Sequence, residues 1–124
     1  MRLDFHGASV RAARERLRRD LSDRFPAGRV DDARVVVSEL VANSLRHARP
    51  LPDDTIAVAW SVRPHALCLS VTDGGSPRSA PTARRPGEMA TGGRGLGIVS
   101  SLASRWGVED AEAGTTVWAE LDVP

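Results

Sequence analysis

The spacing of apolar residues switches along this chain from strand-like to helical and back, and the order of the switches leaves few folds open to it. Leu3 and Phe5 alternate with polar neighbours in residues 2–6, which suits a short edge strand. Val10, Ala13, Leu17, Leu21 and Phe25 then form one helical stripe, with Ser9 in the capping position and Pro26-Ala27-Gly28 as its stop. A second helix is predicted from Asp31 or Asp32 through Ala33, Val37, Leu40, Val41, Ser44, Leu45 and Ala48, ending before Pro50. Pro52-Asp53-Asp54 turns the chain into two apolar runs, 55–62 and 66–72, joined as a β-hairpin by Arg63-Pro64-His65. Residues 96–105 read as a third helix, and 106–109 with 115–121 as a last hairpin. Strand, two helices, hairpin, helix and hairpin assemble most simply as an α/β (α+β) two-layer sandwich. Its mixed, mostly antiparallel sheet would be covered on one face by three helices.

One stretch breaks the pattern. Residues 76–91 hold Pro77, Pro81, Pro86 and Gly87 with Arg78, Arg84 and Arg85, and show neither period. A loop of that length in a compact domain is usually functional or disordered. No repeat or second domain is visible, so residues 1–124 read as a single domain, long enough for a core without disulfides or a metal.

The charge inventory excludes several chemistries. A net charge of +1 argues against a dedicated nucleic-acid binder. All 17 basic residues are arginine. A Gly-x-x-x-x-Gly-Lys phosphate loop is therefore impossible, as is a lysine Schiff base. No zinc-type spacing exists among His6, His47, His65 and Cys68. Cys68, the one cysteine, lies in an apolar run, cannot form an internal disulfide, and suits a reducing cytoplasm. The apolar runs are too short to span a bilayer, and the first residues lack a secretion signal's apolar core.

Three segments carry the candidate chemistry. On the second helix, the apolar residues occupy an arc of about 140°, while Glu39, Asn43, Arg46 and His47 fall in another of about 100°. Glu39 and Asn43 stand at i and i+4, one turn apart, where an acid and an amide can address one ligand. An amide oxygen is a neutral hard ligand suited to Mg²⁺, and a carboxylate nearby can deprotonate a hydroxyl. The plain alternative is a solvated helix face. Second, Gly92-Gly93-Arg94-Gly95-Leu96-Gly97 opens the third helix, where backbone N–H groups can approach a phosphate at the helix's positive end. It fits no Gly-x-Gly-x-x-Gly frame, and a flexible hinge is its alternative. Third, Asp73 ends an apolar strand beside Gly74-Gly75, leaving room for a flat ring and offering an acceptor to an exocyclic amine. An ordinary Asp-Gly turn would look the same.

In this order, and followed by Gly114-Thr115-Thr116-Val117, the three segments resemble the Bergerat-fold ATP-binding superfamily of gyrase, heat-shock chaperone ATPases and histidine kinases. Within it the chain is most similar to the anti-sigma-factor serine/threonine kinases, over essentially its whole length. The resemblance implies ATP and Mg²⁺ as cofactors. It implies Glu39 as general base, Asn43 as the Mg²⁺ ligand, Arg46 near the phosphates and His47 flanking the nucleotide. Asp73 would read the adenine with Gly75 beside the base, and Thr115 would help through water. Gly93, Arg94, Gly95, Leu96 and Gly97 would form the phosphate side, and residues 76–91 the ATP lid. The chain departs from many relatives in reading Ser76-Pro77 where they carry a further glycine.

The activity so implied is a cytoplasmic protein kinase that phosphorylates an anti-anti-sigma protein and sequesters a sigma factor, with pairing into dimers common among relatives. Arg11, Arg14, Arg18 and Arg19 could meet an acidic partner or simply be solvated. An ATP-gated binding module without kinase activity is the alternative, against which Glu39 weighs. A detached histidine-kinase catalytic domain is another, weakened because the chain opens directly on the domain's first strand. Neither membrane nor direct nucleic-acid contact is expected.

Overall fold

A computed structural model of the chain describes residues 1–75 and 94–122. Eight elements follow one another: β1 (Arg2–Asp4), α1 (Ala8–Leu21), α2 (Ala27–His47), β2 (Thr55–Arg63), β3 (Ala66–Asp73), α3 (Arg94–Leu102), β4 (Arg105–Ala111) and β5 (Gly114–Asp122). The strands make one sheet in the order β1-β2-β3-β5-β4. All four pairings are antiparallel, where a mixed sheet was expected. The reason lies in the path after α3. The chain passes beyond β3's neighbour to the sheet edge, lays down β4, and folds back so that β5 fills the gap. Parallel strands β3 and β4 are thereby kept apart.

Alternation decides which face is covered. Leu67, Leu69, Val71 and Asp73 of β3 share one face with Val117, Ala119 and Leu121 of β5, and all are buried. The helices pack there. Leu17 and Leu21 of α1, Val36, Val37, Leu40 and Val41 of α2, and Leu96 and Val99 of α3 complete a single core. Two indole N–H groups fasten the layers. Trp60 Nε1 of β2 donates to Asp20 Oδ2 at the end of α1 (2.6 Å), and Trp106 Nε1 of β4 donates to Ser100 Oγ of α3 (2.7 Å). On the opposite face, Thr72 and Thr116 share a hydroxyl contact of 2.7 Å, and Arg105 pairs with Glu120 at 2.8 Å beside the Trp118 ring.

Element ends differ from expectation at three places. Ser9 is not the cap of α1: Gly7 holds that position, and the Ser9 hydroxyl, buried inside the first turn, donates to the Asp4 carbonyl. Pro26-Ala27-Gly28 does not stop α1, which ends at Leu21. It starts α2 instead, with Pro26 as N-cap, because Pro cannot donate an N–H and none is needed there. The third helix stops at Leu102 rather than 105, since Arg105 already pairs with Glu120 in the sheet. The arginines of α1 are exposed, and Arg18 lies 3.3 Å from Glu15 on the same helix.

Candidate functional site

The buried stripe of α2 is apolar from Val30 to Val41 and then turns polar at Asn43 and Ser44. Both polar side chains are buried, Asn43 with 7% of its surface exposed. Among the described residues, neither the Asn43 Oδ1 nor the Ser44 Oγ has a hydrogen-bond partner of ordinary geometry. A buried amide oxygen without a partner costs about 1–3 kcal/mol, so Asn43 is where a bound ligand would gain most. Glu39, one turn before Asn43, is half-buried and forms no hydrogen bond or ion pair among the described residues. Arg46 and His47 are exposed on the last turn of the same helix.

Asp73 closes β3 beneath α2 and is only 3% exposed. Burial pushes its carboxyl above the ordinary value of 3.8. Ser44 approaches closely enough to pull the other way, without a bond of ordinary geometry. The backbone N–H of Gly75, which donates to Asp73 Oδ1 at 2.8 Å, also lowers it, and the charge of Asp110 raises it. One carboxyl oxygen is thus held in an Asx turn, which leaves the other as a further acceptor.

The turn after Asp73 is tied to the end of α2. Gly74 N donates to the Arg49 carbonyl (2.7 Å) and Arg49 N to the Gly75 carbonyl (2.8 Å). That exchange fixes the height of Asn43 and Ser44 over the strand. It also explains Gly74, where a Cβ would sit 2.2 Å from the Pro50 carbonyl oxygen. Gly75 has φ +88°, and its missing side chain leaves the Thr115 hydroxyl 3.5 Å from where a Cβ would be.

Thr115 of β5 faces Asp73 across one ladder and Asp110 of β4 across the other. Its hydroxyl donates to Asp110 Oδ1 at 2.7 Å. Asp110 was not singled out in the sequence. A lone acid in a hairpin strand carries no local signal, and only the register makes it a partner of Thr115.

The third helix, α3, packs against α2 and touches β4. Leu96 is buried in the core, so only its backbone could face a ligand. Gly97 is exposed, and a Cβ added there would meet no described atom within 4 Å. Arg94 and Gly95 enter as backbone of the first turn. Gly93 and the expected lid, residues 76–91, lie outside the described residues. The structure therefore brings Asp73, Gly75 and Thr115 together on the sheet and sets Asn43 and Ser44 on the helix above them. Glu39 lies one turn back along that helix.

No curated protein matches the sequence. Several solved structures share the fold, and two of them illustrate it. One is the RsbU and RsbW domains of Rv1364c from Mycobacterium tuberculosis, at 21% identity and a TM-score of 0.66, covering 100% of this chain and 33% of that one. The other is the histidine kinase domain of the blue-light activated histidine kinase EL346 from Erythrobacter litoralis, at 21% identity and a TM-score of 0.56, covering 94% of this chain and 60% of that one. The chain thus spans a third of the first and under two thirds of the second. Among the described residues, no helix is long and apolar enough to cross a membrane. The model of the histidine kinase-like ATPase domain matches residues 5–121, which takes in both the helix-borne amide and the carboxylate floor, and the chain belongs to that family.

Proposed function

We propose that this protein is an ATP-binding anti-sigma regulatory factor acting in the cytoplasm. In this reading it is a Mg-ATP-dependent serine/threonine kinase that phosphorylates an anti-anti-sigma partner and sequesters a sigma factor. The observation that carries the nucleotide part is the buried, unpartnered Asn43 Oδ1 one turn from Glu39. A neutral amide oxygen of this kind fits a hard divalent cation. Asn43 would hold Mg²⁺, which when bound neutralises phosphate charge. The family supports ATP as the ligand, and the fold shared with a chain containing an RsbW domain agrees with the anti-sigma role.

The residues divide the work by position. Asp73 accepts a hydrogen bond from the exocyclic amine of adenine, with Gly75 leaving room for the ring. Arg46 and His47 stay exposed at the end of α2, available to the phosphates and to the edge of the nucleotide. Gly93, Arg94, Gly95, Leu96 and Gly97 contribute backbone N–H groups toward the phosphates at the positive end of α3. Glu39 removes the proton from the incoming serine or threonine hydroxyl. That oxygen bonds to the γ-phosphorus as the bond to the β–γ bridging oxygen breaks and ADP leaves. Phosphate on the partner then adds nearly two negative charges and loosens its contact with the kinase, which is released to hold the sigma factor.

Calorimetry with ATP and Mg²⁺, followed by phosphate transfer from labelled ATP to candidate partners, tests this reading. Asn43→Ala is expected to weaken Mg-ATP binding by about tenfold or more. Glu39→Ala should bind ATP nearly as well as wild type but transfer phosphate at least about a hundredfold more slowly. Transfer by Glu39→Ala at the wild-type rate would remove Glu39 as the base. No binding of ATP by folded wild-type protein would end the proposal.

A further inference from the structure

The floor of the site holds two carboxylates with a hydroxyl between them, on three adjacent strands. Asp73 of β3 and Asp110 of β4 are both direct ladder partners of Thr115 on β5. The three residues lie on the helix-covered face, with Asp73 buried and Thr115 half-buried. The Thr115 proton has a defined destination, Asp110 Oδ1 at 2.7 Å. A hydroxyl has one proton and two lone pairs. Once the proton is committed to the Asp110 carboxyl oxygen, the hydroxyl can only accept from anything placed above Gly75. Asp73 Oδ1 is already engaged by the Gly75 N–H, leaving its other oxygen as an acceptor too.

We infer that Asp110 is a specificity-determining positioning residue: by taking the Thr115 proton it makes the floor acceptor-only, so that the site selects a purine bearing a 6-amino group over one bearing a 6-oxo group. This rests on the nucleotide reading of the site and adds to it. A 6-oxo purine turns a carbonyl oxygen toward two acceptors. It finds no donor, and the unmatched polar pair is what discriminates. Without Asp110, the Thr115 hydroxyl is free to rotate and donate to that carbonyl. Asp110 need not touch the nucleotide for this effect.

The experiment measures dissociation constants for Mg-ATP and Mg-ITP, which differ at the 6-position and in the N1 proton that accompanies it. The variants are Asp110→Ala, Thr115→Val, Thr115→Ser and the Asp110→Ala/Thr115→Val double variant of the full chain. Wild type should prefer ATP, and Asp110→Ala should lower the ATP-to-ITP preference by about tenfold. Thr115→Ser keeps a hydroxyl that can donate to Asp110 and should keep the preference. In the Thr115→Val background, removing Asp110 should change the preference no further. A merely structural Asp110 would weaken both nucleotides in equal proportion, and that result overturns the inference. So would a loss of preference on removing Asp110 that persists undiminished when Thr115 is already valine. Wild-type protein that binds neither nucleotide removes the proposed function itself. Wild-type protein that prefers ATP, with the preference unchanged in Asp110→Ala, removes only the role of Asp110.

Discussion

The floor and the α3 side of the site are built on different supports. On the floor, Asp73, Thr115 and Asp110 sit on three paired strands, and the turn after Asp73 is fastened to the end of α2 by two backbone hydrogen bonds. On the α3 side, the described part is the start of one helix, anchored through Leu96 and Val99. Their glycines show the contrast. Cβ atoms at Gly74 and Gly114 would lie 2.2 and 2.0 Å from backbone carbonyl oxygens, whereas one at Gly97 would meet no described atom within 4 Å. The first two are required by the fold, and the third is not. A glycine that no described contact demands, inside a helix that it weakens, is where the phosphate side can be tested.

The largest effect should come from forcing a side chain into the floor. In Gly74→Ala the added methyl meets backbone rather than the end of a flexible side chain, so the Arg49–Pro50 segment must move and both tying hydrogen bonds are strained. A loss of about 3 kcal/mol is expected, read as a lower urea midpoint with an unchanged slope. Wild-type stability in this variant would show that the floor is looser than its contacts imply, and the contrast with α3 would fail.

A smaller effect of opposite sign is expected at Asp73. Burial raises its pKa, so the ionised form is disfavoured in the folded protein and the folded state binds the proton more tightly than the unfolded one. The cost is fully present above the raised folded value and is relieved as pH falls through that value toward 3.8. Asp73→Asn, whose amide oxygen can still accept from Gly75, should therefore raise Tm at neutral pH by about 2–5 °C. The gain should shrink as pH falls into the window above 3.8. The same variant should bind ATP about a hundredfold more weakly, because an amide can turn its donor toward the amine. If Asp73→Asn lowers Tm at neutral pH, the carboxylate is stabilising the fold and its burial has been misjudged as a cost.

Much of the architecture was legible because periodicity reports burial. The core faces of α2, β2 and β3 follow the spacing of Val37, Leu40, Val41, Ile56, Val58, Leu69 and Val71. Asp73 and its glycines were visible because a strand end followed by two small residues is a local signal. The start of α2 was misread because Pro26 and Gly28 punctuate loops and helix starts alike, and only Val30, packing into the core, decides between them. The fully antiparallel sheet was not legible, since which strand fills the place beside β3 is a matter of long-range pairing. Asp110 was missed for the same reason. It becomes a neighbour of Thr115, and through it of Asp73, only when β4 and β5 have found their register.

Gly97→Ala gives the smallest effect and the sharpest test of the contrast. On the α3 side alanine fits without contact, and exchanging a helical glycine for alanine favours the folded chain by roughly 0.5–1 kcal/mol. A stability gain alone says only that α3 tolerates a methyl group. If the open space beside Gly97 receives phosphate, the methyl should obstruct it, and ATP affinity should fall severalfold while stability rises. AMP, which carries fewer phosphates on the same base, should lose less than ATP, whereas Asp73→Asn should weaken AMP and ATP alike because it acts on the base. A Gly97→Ala protein that is more stable and binds ATP as wild type does would move the phosphates away from this turn of α3, and would leave the nucleotide reading to rest on the floor and on Asn43.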